Sequence, residues 1–350
     1  MRTFACQNCG QLVFFENTSC LNCEAVLGFE PDENELITLL DVGDDAQLDR
    51  FDGEPGSFFR CTNAELIGCN WLVDEEGKLC ASCELTRTRP NDADVDGIAR
   101  LAAAEAAKRW LLFELKELEL PITDNLSFDL LSSDAQPVTT GHADGVITLD
   151  LAESDDARRV ERRVQLHEPY RTLLGHMRHE IGHYYFPILV DDDEKVARAR
   201  ELFGDETADY QEALDRHYES GPPPDWSDSF VSAYAAMHPS EDWAETFAHY
   251  LHIRDTLQTA AEYRVQVGGP DAVARVKSTA ALRSAPREGD LAFDEILSEW
   301  LPLTYALNAL NRSMGRNDLY PFVLPPPVVD KLALVDDLVR KRSLPAFGLG

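Results

Sequence analysis

The chain has 350 residues, enough for two domains, and its 44% hydrophobic and 27% charged residues exclude a wholly disordered protein. Its 63 acidic against 32 basic side chains leave a formal charge of −31, which repels phosphate backbones and argues against nucleic acid as a partner. The opening "MRTFACQNCG" lacks the apolar core of a signal peptide and no segment reaches the roughly 18 uncharged apolar residues of a membrane span, so a cytoplasmic protein with no membrane partner is expected.

In a reducing compartment the eight cysteines are thiols for metals rather than disulfides. All eight lie before residue 84. Cys6 and Cys9, then ten residues, then Cys20 and Cys23 form two knuckles whose four thiolates can close a tetrahedral zinc site. Cys69, Cys80 and Cys83 repeat the spacing of Cys9, Cys20 and Cys23, with Cys61 completing a stretched first knuckle, so a second structural zinc and a duplicated ribbon over residues 1–84 are expected. Closed four-cysteine sites stabilise small folds and do no chemistry, which leaves a docking surface as their function. Residues 1–95 hold 6 basic and 19 acidic side chains, a poor DNA-binding ribbon but one able to dock a dedicated protein partner.

"LTRTRPNDADVDG", residues 85–97, reads as a linker, and residues 98–350 as a second domain. A long Ala- and Leu-rich helix opens it over residues 98–118. "LSFDLL" and "GVITLDL" read as strands, with a "GHADG" turn before the second, in which Ile147, Leu149 and Leu151 share an apolar face. A second long helix is expected from near Pro169 to just before Pro187. The acidic stretch 190–228 reads as surface helices. Helices resume at "SEDWAETFAHYLHIRDTL", with Ser240 as candidate N-cap, and at "FDEILSEWLPLTYALNALNR", before a proline break and a last amphipathic helix.

All but one of the nine histidines follow residue 160, and two stand in "RHEIGHYYF". On a helix His179 and His183 are one turn and roughly 40° apart, so both imidazoles can reach one ion, with Glu180 beside it as a proton acceptor. This is the H-E-x-x-H arrangement of zinc peptidases, in which the glutamate takes a proton from water and later delivers one to the leaving amine. For a third ligand "SEDWAETFAHYLH" offers Glu241 and Glu245, one turn apart on a helix too apolar to leave carboxylates idle. His176 is a competing ligand one turn before His179; His249 and His252 follow Glu245 at helical spacing, and His238 and His142 could line a cleft. No phosphate-binding glycine loop and no Gly-x-Ser-x-Gly elbow occurs.

"HEIGH" followed by "EDWAETF" resembles the gluzincins of lethal-factor type. That resemblance implies that Glu241 is the third zinc ligand, that Glu245 braces His179, and that Tyr234, seven residues before Glu241, stabilises the oxyanion. Over nearly its whole length, including "GHADGVITLDLAESDDA", "EPYRTLLGHMRHEIGHYYF" and "PFVLPPPVVDKL", the chain is similar to the bacterial zinc-binding metallopeptidases with an N-terminal zinc-ribbon domain.

The expected architecture is α+β: a small double zinc ribbon, then a mostly helical zincin-like domain with a small sheet, in which "GVITLDL" serves by resemblance as the edge strand that receives substrate. The expected activity is zinc-dependent hydrolysis of a polypeptide, with one catalytic and two structural zinc ions. The alternative is a non-enzymatic adaptor whose H-E-x-x-H site only stabilises the fold. A retained Glu180 favours the enzyme, because a structural site has no use for an uncoordinated carboxylate beside its ion.

Overall fold

The computed structural model describes residues 2–41, 47–54, 56–134, 137–154, 172–268 and 293–343. It divides by its contacts into residues 1–116 with 122–159, and residues 117–121 with 160–350.

In the first unit β1 (Phe4–Ala5) pairs antiparallel with β2 (Leu12–Val13), and Cys6 and Cys9 lie between them. β3 (Val26–Glu30), β4 (Glu35–Asp41), β5 (Leu48–Arg50), β6 (Ser57–Arg60) and β7 (Leu72–Val73) form one sheet in chain order. A parallel bridge between Phe29 and Trp71 brings the two ends of that sheet together, so a single curled sheet connects both cysteine groups. Two short helices, α1 (Ala64–Ile67) and α2 (Ala81–Glu84), present the second group. Gly68 at φ 66° ends α1 in the left-handed conformation that glycine adopts without penalty, and turns the chain into Cys69.

Three further strands and a long helix complete this unit. β8 (Thr86–Thr88) precedes α3 (Val95–Glu117), then come β9 (Ser127–Leu131), β10 (Gly141–Ala143) and β11 (Val146–Asp150), in the sheet order β10-β11-β9-β8. Asp144 and Gly145, both at positive φ, make the two-residue turn between β10 and β11 that matches strand twist. Ile147, Leu149 and Leu151 are all buried, as their alternation requires.

Three expectations change here. Residues 85–97 are not a free linker: Thr86–Thr88 is a strand paired in parallel with β9, and α3 begins at Val95. The opening helix of the expected second domain packs with the cysteine region, since the Phe15 ring lies 4.5 Å from that of Trp110 and 5.0 Å from that of Phe113, which is itself 5.9 Å from Phe29. Aromatic pairs of this kind add about 0.5–1.5 kcal/mol each beyond their buried area. The strand proposed as a substrate-receiving edge, β11, is bonded antiparallel to β10 on one side and parallel to β9 on the other, so it has no open edge.

The second unit is helical: α4 (Leu173–Leu189), α5 (Asp193–Phe203), α6 (Tyr210–Ser220), α7 (Pro239–Glu262), α8 (Phe293–Ser313) and α9 (Pro326–Ser343). The expected helix start near Pro169 lies outside the described residues. Thr172 is extended and its side chain accepts from the Gly175 amide, so the described helix begins at Leu173. At its other end the helix runs through Pro187 to Leu189, because a proline in the last turn forfeits only one backbone bond. α7 is capped by His238 rather than Ser240: the ring Nδ1 accepts from the Ser240 amide, and Pro239 takes the first helical position.

α4 and α7 form the heart of this unit. Tyr185 stacks on Phe247 at 5.6 Å, and the Trp243 indole donates to the Gly182 carbonyl at 2.8 Å. A Cβ on Gly182 would stand 3.0 Å from the Ala244 Cα, so the glycine sets how closely the two helices approach. α9 is tied to α7 by the buried Lys331–Asp242 pair at 2.7 Å, whose ammonium also donates to the Ser229 carbonyl.

Candidate metal centre

That close approach brings the two sequence motifs together. His179 Nε2 lies 3.0 Å from Glu241 Oε2, His183 Nε2 lies 3.4 Å from the same oxygen, and the two Nε2 atoms are 3.3 Å apart. Ligand atoms on a tetrahedral zinc, bound at ~2.0–2.1 Å, stand about 3.3 Å apart. The three side chains therefore already hold the spacing that a zinc ion imposes, and three ligands leave one coordination position open. They fit the ion.

Glu245 faces the other nitrogen of His179. The His179 Nδ1–H donates to Glu245 Oε1 at 2.7 Å, and the Ser232 hydroxyl donates to Glu245 Oε2 at 2.6 Å. Holding the Nδ1 proton in this way commits Nε2 to the side of Glu241 and His183, where it can ligate a metal once the ion displaces its proton. Burial opposes charge throughout the cluster, yet the imidazole–carboxylate pairing outweighs it. The Glu241 carboxyl is held far below its ordinary range by His179 and His183, Glu245 is brought down to about 2 by His179, and His179 is raised well above an ordinary imidazole by the two carboxylates. The pocket is electrostatically set to receive positive charge.

Glu180 stands beside these ligands without joining them. It is 5% exposed, its Oε1 accepts from His176 Nε2 at 3.1 Å, and its Oε2 is buried with no hydrogen-bond partner among the described residues. Burial raises its carboxyl, but the His176 bond and the neighbouring imidazoles win, so it remains an anion. His176, weighed as a competing ligand, bonds this glutamate instead and lies outside the three-residue cluster.

The Tyr234 ring lies 5.9 Å from that of His179, tilted by 46°. Burial, reinforced by the Glu241 carboxylate, pushes its phenol far up, so its hydroxyl remains a donor. Sequence reasoning missed Tyr210, at the start of α6. Its ring meets His238 edge-on at 5.2 Å, and burial with the nearby Glu241 pushes its hydroxyl up to about 12. It also missed Ser232, two residues before Tyr234, whose bond to Glu245 no spacing rule would reveal.

The other four histidines singled out in the sequence have structural partners. His249 Nδ1 is hydrogen-bonded to the Tyr320 hydroxyl at 2.7 Å, and His252 Nδ1 accepts from Arg178 at 2.6 Å. His238 caps α7, and His142 Nε2 accepts from the Gly145 amide to close the β10–β11 turn.

The cysteines assemble as their spacing requires. Cys6, Cys9, Cys20 and Cys23 form one cluster, and Cys61, Cys69, Cys80 and Cys83 form another. Within them the Cys6–Cys23, Cys9–Cys20 and Cys69–Cys80 sulfurs are 3.6 Å apart and Cys69–Cys83 3.8 Å, against about 3.8 Å for thiolates on a tetrahedral zinc with ~2.3 Å bonds. All four members of the second cluster are buried, and the Arg109 guanidinium of α3 favours the Cys69 thiolate. Together with the His-His-Glu group, the described residues carry three zinc sites.

Comparison with known proteins finds two family matches: "Putative zinc-binding metallo-peptidase" over residues 97–338, and "zinc-ribbon domain" over residues 3–94. Uncharacterized proteins of Mycobacterium tuberculosis (strain H37Rv) and Mycobacterium bovis are each 50% identical over 349 residues, which cover 97% of this chain and 95% of their own length. No solved structure matches.

Proposed function

Because the chain belongs to the family described as "Putative zinc-binding metallo-peptidase", and because its H-E-x-x-H helix presents an uncoordinated carboxylate beside the metal ligands, we propose that it hydrolyses peptide bonds in a polypeptide substrate. The observation that carries this reading is Glu180. A buried carboxylate oxygen with no partner costs free energy, about 1–3 kcal/mol or more for a charged group, and an ion-holding site that served only the fold would gain nothing from it.

A zinc ion held by His179, His183 and Glu241 would lower the pKa of water toward 7 and polarise the scissile carbonyl. Glu180 takes the proton of the attacking water at Oε2, while His176 holds its other oxygen in place. The same carboxyl then returns the proton to the leaving amine. Tyr234 donates its O–H to the oxygen on which charge develops. Glu245 keeps His179 in the tautomer with its Nε2 lone pair turned to the ion, and Ser232 keeps Glu245 there.

The cysteine sites, closed and structural, would shape a surface that docks one protein partner. The test is a proteome-wide cleavage comparison of wild type with Glu180→Gln at equal zinc content. Peptide products should appear with the wild type and vanish with the variant. Identical product sets from the two proteins would sink the hydrolytic reading and leave the adaptor.

A further inference from the structure

Farther along α7 than the glutamates of the metal centre, between that helix, the middle of α8 and residues 319–320, lies a cavity of about 160 Å³. Trp300, Leu307 and Leu319 supply apolar wall, and His252, Thr256, Thr304 and Tyr320 supply polar atoms. Its size is that of an apolar cavity of about 150 Å³ that admits benzene.

Thr304 is the informative wall residue. It is 6% exposed, and its hydroxyl is buried with no hydrogen-bond partner among the described residues. A helical threonine can bond its hydroxyl back to a carbonyl one turn earlier, at the small cost of bending the helix, and Thr304 does not do so. Of the other polar wall groups, the Tyr320 hydroxyl is engaged with His249 and the His252 ring with Arg178, itself paired with Asp255 at 2.8 Å, while the Thr256 hydroxyl sits on a half-buried residue rather than a buried one. The wall thus combines an indole and two leucines with one buried, unmatched hydroxyl, and its cationic neighbour is already neutralised.

We propose that this cavity binds a small neutral molecule with an apolar body and one hydrogen-bonding group, seated between Trp300 and Leu307 with its polar group on the Thr304 hydroxyl. The site stands independently of the hydrolytic reading, because it uses none of the residues assigned to that chemistry.

The probes are 4-fluorobenzyl alcohol and fluorobenzene, titrated into full-length, zinc-loaded protein and followed by fluorine NMR. Both should bind saturably at one site, the alcohol more tightly. Thr304→Val, which keeps the shape and removes the hydroxyl, should weaken the alcohol by about 2- to 10-fold and leave fluorobenzene unchanged, the range expected for one hydrogen bond. Leu307→Trp should fill the cavity and abolish both. Should that bulkier variant fail to fold, the valine substitution still decides the matter. No saturable binding of either probe to the wild type would mean that the cavity holds ordered water only, and equal alcohol binding by wild type and Thr304→Val would remove the assignment of the hydroxyl; either result overturns the proposal.

Discussion

Replacing Glu245 separates the metal's brace from its ligand. The carboxylate accepts from His179 at 2.7 Å and from Ser232 at 2.6 Å, and with its carboxyl brought down to about 2 it carries full charge at any working pH. Glu245→Gln keeps an acceptor for His179 and removes only the charge, whereas Glu245→Ala orphans both the His179 N–H and the Ser232 hydroxyl. Loss of a group that orients a ligand costs about 10- to 100-fold in metal affinity, or about 1.4–2.7 kcal/mol. Glutamine should therefore fall near the lower bound and alanine near the upper. Glu241→Ala, which removes an oxygen 3.0 and 3.4 Å from the two imidazoles, should empty the site at zinc concentrations where both Glu245 variants still fill it. The assay is dialysis against graded zinc buffers with metal counted per chain, where the helical site appears as the step from two zinc ions to three. A Glu245→Ala protein that empties while Glu241→Ala stays full would refute the argument and place the ligand one helical turn later.

Glu180→Gln should retain all three zinc ions and the wild-type melting temperature while hydrolysis drops by about 10²- to 10⁴-fold, since it removes the proton acceptor but not its shape. Tyr234→Phe should cost about 10²- to 10³-fold in kcat with zinc content unchanged; a loss of zinc instead would assign it a structural role. Gly182→Ala should destabilise the protein by about 1–3 kcal/mol in a denaturant titration, because the added methyl meets the Ala244 backbone at 3.0 Å and backbone cannot yield as a side chain can. Graded chelation should strip the His-His-Glu site before either four-cysteine site, and elemental analysis showing cysteine-bound zinc leaving first would contradict the ligand count.

Short-range geometry made much of this protein legible without a structure. Cysteine pairs separated by two residues, and histidines one helical turn apart, specify metal ligation because the spacing alone fixes which side chains can reach one ion. Alternation identified Ile147, Leu149 and Leu151 as a buried face for the same reason. Periodicity says which face is buried but not against what, and the tertiary structure decided the rest. The helix that carries Trp110 and Phe113 was legible from its apolar spacing, but only their contact with Phe15 and Phe29, roughly 80 to 100 residues earlier, joins α3 to the cysteine region. β11 was recognisable as a strand, whereas its enclosure between β10 and β9 depends on pairings that no local pattern encodes. The metal centre divides in the same way. His179, Glu180 and His183 are set by one helix, but the choice of Glu241 over Glu245 at His179 Nε2, the bond from Ser232 and the idle oxygen of Glu180 exist only because Gly182 lets a second helix come close enough to supply them.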